Sequence, residues 1–168
     1  SVDVVVDSVR DRGLDPLPEE QWEAPNFPVK TWGASQLNSS YPSSQDSFGN
    51  LETSPPVTVD GTEYPHGRIY YGDWNGSQVD QQLQEFLEDQ EVQAPFQIDV
   101  TWLCVGHVDE FMTFVPDASS EKGFKLLITD TEAGYEFLEG LDQSMSIPKY
   151  SVKNYSTIGA IVDDSTLR

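Results

Sequence analysis

Seven prolines fall within residues 15–56 (Pro16, Pro18, Pro25, Pro28, Pro42, Pro55 and Pro56), and they restrict the fold more than any other feature of this chain. Each fixes φ and removes a backbone donor, so neither a long helix nor a central strand can run through them. Ser, Asn and Gly fill much of the remaining sequence, which predicts a long irregular segment with little periodicity. A loop of that length in a compact domain is expected to be functional or disordered.

Regular structure is expected on either side. Val2–Val6 reads as a strand, and Val57–Val59 and Gly67–Gly72 read as short strands bounded by Gly and Pro. A helix is predicted from Ser77, with Asp80 completing a capping-box-like start, to about Gln90. Its apolar residues Val79, Leu83, Phe86 and Leu87 recur at helical spacing. Strands are expected at Phe96–Leu103, Phe111–Val115 and Phe124–Ile128, and a second helix at about 132–142 with Phe137, Leu138 and Leu141 inward. The tail 143–168 is polar and weakly patterned, and we expect it to be poorly ordered. Strands alternating with helices indicate an α/β domain. With 168 residues, one domain with a real core is expected.

Charge narrows the partners. Nine Lys and Arg stand against 29 Asp and Glu, a net charge of -20. Phosphate contacts need Lys and Arg, so nucleic acid and anionic membrane surfaces are expected to be excluded, while basic peptides and metal ions are favoured. The single Cys cannot form an intramolecular disulfide, and no apolar run reaches the length of a membrane span. The N-terminus lacks both a signal peptide and an initiator Met, so the sequence is expected to be an excised part of something longer.

The ten residues Trp102 to Phe111 carry the chemistry. An apolar run delivers His107 and Asp109, then turns apolar again. In extended backbone, residues two apart point to one face, so the two side chains are expected to project together. An imidazole exchanges protons near neutral pH, and a carboxylate beside it can hold a cation or orient the ring. The competing explanation is an ordinary hydrogen-bonded pair at a strand edge. Cys104, inside the same run, reads as a small buried hydrophobe. Trp102, Tyr64, Tyr70, Tyr71 and Trp74 read as packing residues, and His66 as an exposed turn residue.

Four segments occur in order: Asp7–Leu14 (DSVRDRGL), Asp46–Val59 (DSFGNLETSPPVTV), Glu63–Ile69 (EYPHGRI), and Val92–Pro95 running on to Trp102–Pro116 with its VGHVDEF core. The weaker Lys122–Leu127 follows. Together they resemble the C-terminal catalytic domain of the protein-arginine deiminases. The resemblance implies a pentein fold, a propeller of ββαβ modules, of which this chain would form part. It also implies calcium-dependent hydrolysis of peptidyl-arginine to peptidyl-citrulline and ammonia, with arginine-containing proteins or peptides as substrates. The compartment expected is the cytoplasm or the nucleus.

By the same resemblance His107 and Asp109 are catalytic, and Arg10 and Arg12 bind the substrate backbone. Calcium would be held at one site by the carbonyls of Phe48 and Leu51 and the carboxylate of Glu52, and at a second by Asp7, Ser8 and Asp11. Asp11 stands where familiar animal relatives carry Asn. Local readings compete at these positions: an Asx-type turn at Asp7–Asp11, and pairing of Arg10 and Arg12 with nearby acids. The resemblance also implies a nucleophilic Cys beyond Arg168 and a second guanidinium-binding Asp before Ser1, so this chain alone is expected to be catalytically incomplete. Two alternatives stand beside it. One is a catalytically silent acidic module that binds calcium or basic peptide tails. The other is hydrolysis or amidino transfer on a smaller guanidine.

Overall fold

Tyr70 and Tyr71 are adjacent on one strand and bury into opposite cores, with 2% and 1% of their surface exposed. The fold is organised around that strand. The computed structural model describes residues 3–10, 13–32, 43–147 and 155–167. In chain order the elements are β1 (Val5–Asp7), α1 (Leu17–Gln21), β2 (Val29–Thr31), β3 (Leu51–Thr53), β4 (Val57–Val59), β5 (Thr62–Tyr64), β6 (Ile69–Asp73), α2 (Gln81–Asp89), β7 (Phe96–Asp99), β8 (Met112–Pro116), β9 (Phe124–Ile128), α3 (Thr131–Glu139) and α4 (Ile158–Val162). Short 3-10 turns at Ser44–Asp46, Phe48–Asn50 and Val108–Glu110 join them. The architecture is mixed α/β with small sheets, and no closed barrel forms among the described residues.

The chain divides into two compact units, Ser1–Leu127 and Ile128–Arg168. In the first, β6 is the middle strand of three. It pairs antiparallel with β3, Glu52 opposite Tyr70, and parallel with β7, Tyr71 opposite Gln97. Parallel neighbours need a crossover, and α2 supplies it. Alternation along β6 then splits the core. Tyr71 joins Val79, Leu83 and Leu87 around α2, with Val6, Trp32, Phe48, Leu51, Ile69 and Phe86 packed against them. Tyr70 joins Val100 and Val108, with Leu103, Phe111 and Phe114 against them. Each fully buried aliphatic side chain here contributes about 1.5–3 kcal/mol.

Small pairs complete this unit. β1 and β2 are parallel, with Val5 opposite Val29 and Asp7 opposite Thr31. β4 and β5 form a hairpin turned by Asp60 and Gly61, both at positive φ. β8 pairs with β9, and Lys125 on β9 bonds Asp117, just past the end of β8, at 2.5 Å. Gly67, at φ +72°, closes against the Ser54 carbonyl so tightly that no side chain fits.

In the second unit Asp130 caps α3 through Ala133 N at 2.9 Å, and Thr157 caps α4 through Ala160 N. Gly159 N and Ile158 N donate to the carbonyls of Gln143 and Met145, and Ile158 is buried.

Several sequence expectations need correction. The first strand is Val5–Asp7, starting after Val4 and ending one residue beyond the expected Val6, while Val2 lies outside the described residues. The proline-rich segment still contains α1 and the pairing strand β2. The cap of α2 is Asp80, whose carboxylate accepts from Gln82 N, and not Ser77. β7 stops at Asp99 rather than Leu103, because the Asp99 side chain accepts from Thr101 N and Oγ1 and turns the chain. Phe137 is 68% exposed rather than inward. Trp102 is 60% exposed and leans edge-on against Phe111. Trp74 is also exposed, as is Cys104: once the strand ends at Asp99, residues 101–105 form a surface turn. The tail, read as weakly patterned, contains α4. His66 is exposed in its turn, as read.

Candidate functional site

The approach to His107 is a clamped turn. Trp74 donates its indole N–H to the Leu103 carbonyl at 3.3 Å, and Gln45 donates to the Val105 carbonyl at 3.1 Å. Gly106 follows at φ +85°. A Cβ there would lie 2.7 Å from the Trp74 ring, so glycine is required on two counts.

His107 itself is extended, and Val108–Glu110 then winds into a 3-10 turn. His107 N donates to Glu110 Oε1 at 2.8 Å, and Val108, wholly buried, pins the turn to the core. The expectation that extended alternation throws His107 and Asp109 to one face is therefore corrected. Asp109 leaves from a helical turn, and its direction is set by that turn.

Both residues nevertheless meet one segment, 44–52. The His107 Nε2 lies 2.9 Å from the Ser44 carbonyl and 3.2 Å from the Ser44 hydroxyl. A carbonyl can only accept, so the first bond puts a proton on Nε2 and leaves Nδ1 as the ring's acceptor when neutral. The exposed Asp109 carboxylate lies over Gly49, where a Cβ would be 2.5 Å from its Oδ2. Glu52, half-buried on β3, has its carboxyl raised by burial and then by the negative charge of Asp109. Among the described residues neither carboxylate has a cationic partner. Two unneutralised carboxylates this close favour binding of a cation.

The segment is internally braced. Asp46 is buried with 3% exposed. Burial raises its carboxyl, and bonds from Ser43 N, the Ser43 hydroxyl and Asp80 N oppose the rise. Its backbone carbonyl accepts from the Ser8 hydroxyl at 2.6 Å, which in turn accepts from Arg10 N at 3.1 Å. Arg10 reaches the same loop, with Nη1 2.9 Å from the Ser47 hydroxyl and 3.4 Å from the Ser44 carbonyl. Among the described residues Arg10 pairs with no acid. Asp7 accepts from the Thr31 hydroxyl at 3.1 Å, and its carboxyl is raised mainly by burial. Asp11 and Arg12 lie outside the described residues.

Loop 7–10, segment 44–52 and turn 107–109 are thus brought together by hydrogen bonds and packing. Phe48 and Leu51 lie on the middle segment. Among the described residues no three His, Cys, Asp or Glu side chains converge on a point. A cation here would therefore draw on main-chain carbonyls and hydroxyls, the donors that a hard ion such as calcium accepts. Gln45 and Ser44 are the contributors that sequence reasoning missed. Only their position just before the Asp46–Glu52 motif pointed toward them.

A family model described as protein-arginine deiminase (PAD) matches residues 1–159. The human protein-arginine deiminase type-4 is 42% identical over 98% of this chain and 26% of its own length. The human type-1 protein is 48% identical over 79% of this chain and 20% of its own. The human type-3 protein is 41% identical over 81% and 20%. The chain thus spans about a quarter or less of the length of these relatives.

Proposed function

The chain belongs to the protein-arginine deiminase family, and from that premise we propose that it supplies part of the active site for calcium-dependent hydrolysis of peptidyl-arginine to peptidyl-citrulline and ammonia. The observation that carries the reading is the mounting of His107 and Asp109 on one segment, 44–52, which also bears the unneutralised Glu52.

The substrate head group is a planar cation with forked donors. Asp109 accepts its N–H groups and fixes its pose. Attack at the central carbon is by a thiolate, which we assign to a Cys outside these 168 residues; a second guanidinium-binding Asp is assigned outside them too. When the C–N bond breaks, His107 delivers a proton to the departing ammonia. It then takes a proton from the water that attacks the thiouronium carbon, and cleavage of the C–S bond releases citrulline and the thiolate. Arg10, whose guanidinium has only a hydroxyl and a carbonyl as partners among the described residues, is assigned to the backbone carbonyls of the peptide together with Arg12.

Calcium would supply positive charge against Glu52 and order the surrounding loops. The Phe48 and Leu51 carbonyls and the Glu52 carboxylate would hold one ion, and Asp7, Ser8 and Asp11 a second. The pentein propeller and a cytoplasmic or nuclear location belong to the same proposal. No helix among the described residues is long and apolar enough to cross a membrane.

The test is citrulline formation by the complete natural polypeptide on an arginine peptide, with and without calcium. We expect calcium-stimulated citrulline that His107→Gln abolishes. Absence of citrulline, or turnover indifferent to His107→Gln, overturns the reading.

A further inference from the structure

Asn50 is wholly buried and Gln45 is 3% exposed, and neither is explained by the chemistry above. Asn50 is locked onto the middle strand. Its Oδ1 accepts from Gly72 N at 2.8 Å, and its Nδ2 donates to the Gly72 carbonyl at 3.2 Å. A side chain at residue 72 would collide with Asn50 Oδ1, so glycine is what admits the amide. With its oxygen committed to Gly72, Asn50 has its nitrogen left for Gln45, and Nδ2 donates to Gln45 Oε1 at 3.0 Å. That fixes the Gln45 amide in turn: its oxygen is occupied, so its nitrogen faces the Val105 carbonyl, two residues before His107, at 3.1 Å. The next residue back, Ser44, holds the His107 ring by Nε2.

We propose that Gln45 is a positioning residue for His107, transmitting the fixed orientation of the Asn50–Gly72 pair on β6 to the backbone that delivers the imidazole. A buried amide chain of this kind has one satisfied arrangement, and reversing any member leaves two acceptors or two donors facing each other. Removing the Gln45 donor frees the Val105 carbonyl and, through Gly106, lets the ring slip from Ser44. The consequence for turnover rests on the deiminase reading. The positioning itself does not.

The chain has two histidines, and exposed His66 serves as an internal reference for imidazole 15N spectra. We expect neutral His107 in the native chain to show the Nε2–H tautomer, with nuclear Overhauser contacts from the Gln45 side-chain amide to Gly106. Gln45→Met keeps the volume and removes the donor, and Gln45→Glu replaces it with an acceptor. Either should move the His107 ring 15N shifts away from their native values and leave those of His66 unchanged. In the complete polypeptide kcat should fall by about tenfold to a hundredfold with KM little altered. Folded variants with a native His107 spectrum overturn the proposal. So does absence of the Gln45–Gly106 contact in the unaltered chain, a measurement that stands even where both variants fail to fold. Absence of citrulline formation by the unaltered complete polypeptide, with these spectral changes present, would count against the deiminase reading and leave the positioning intact.

Discussion

The Asp109 carboxylate occupies the space above Gly49 that any other residue's side chain would need, with Oδ2 2.5 Å and Cγ 2.9 Å from where a Cβ would begin. Gly49 carries no positive φ that would require glycine, so close approach is its reason. Asp109 is exposed and free to swing, so Gly49→Ala should leave the fold intact, with a stability change within about 1 kcal/mol. Its carboxylate will be displaced. In the complete polypeptide KM for an arginine peptide should rise about tenfold or more, read from initial rates, with thermal melting nearly unchanged. An unaltered KM would show that Asp109 does not grip the guanidinium.

Glu52 gives a second expectation. Burial and then Asp109 raise its carboxyl, so ionised Glu52 is a cost to the folded chain at neutral pH. Glu52→Gln should therefore raise the melting temperature without calcium. After discounting for its partial exposure the gain is on the order of 0.5 kcal/mol, or about 1–2 °C for a chain of this size. The same substitution should remove most of the stabilisation that added calcium gives the native chain. Scanning calorimetry with calcium and with a chelator checks both halves.

Legibility followed periodicity and range. α2 was readable because Val79, Leu83 and Leu87 repeat at helical spacing and all three are buried. β4 and β9 were readable because Gly and Pro bracket short apolar runs. β2 was hidden because three residues behind Pro28 gain strand identity only by pairing with β1. Trp102, Leu103 and Val105 imitate a strand, and the Asp99 side chain and left-handed Gly106 override them. His107 and Asp109 stood out by residue type and by family motif. Their mount did not, because the contacts of Ser44 and Gln45 with the His107 turn span about 60 residues of sequence and no local pattern encodes them.

The acid response can be worked out in sign. The carboxyls of Asp7, Asp46 and Glu52 are raised, chiefly by burial. Their stabilising, protonated form is fully present below the unfolded value and lost as pH rises through the folded one. Those of Asp99, Asp117 and Asp142 are lowered, led by side-chain bonds from Thr101, Lys125 and Ser144 respectively. Their contribution is present above the ordinary carboxylate range and lost as pH falls through the lowered value. Release of repulsion among 29 acidic residues acts with the first group. Stability should thus rise as pH falls from neutral toward the upper edge of the carboxylate range, then drop below it. Urea midpoints taken across that span should trace a maximum on the acid side of neutral; a monotonic fall from neutral downward would contradict it.

Ser8 separates a structural role from a metal-binding one. Its hydroxyl donates to the Asp46 carbonyl at 2.6 Å and accepts from Arg10 N at 3.1 Å, tying loop 7–10 to the segment that holds His107. Ser8→Ala breaks both bonds in a half-buried setting, which costs about 1–2 kcal/mol, or roughly 2–8 °C in melting temperature for a chain of this size. The loss should appear in full with a chelator present, because the protein bonds do not depend on an ion. A Ser8 that acted only as a calcium ligand would instead leave the chelated melting temperature unchanged and lower only the calcium-induced increment. Melting curves of the native chain and Ser8→Ala, each with and without calcium, distinguish the two outcomes.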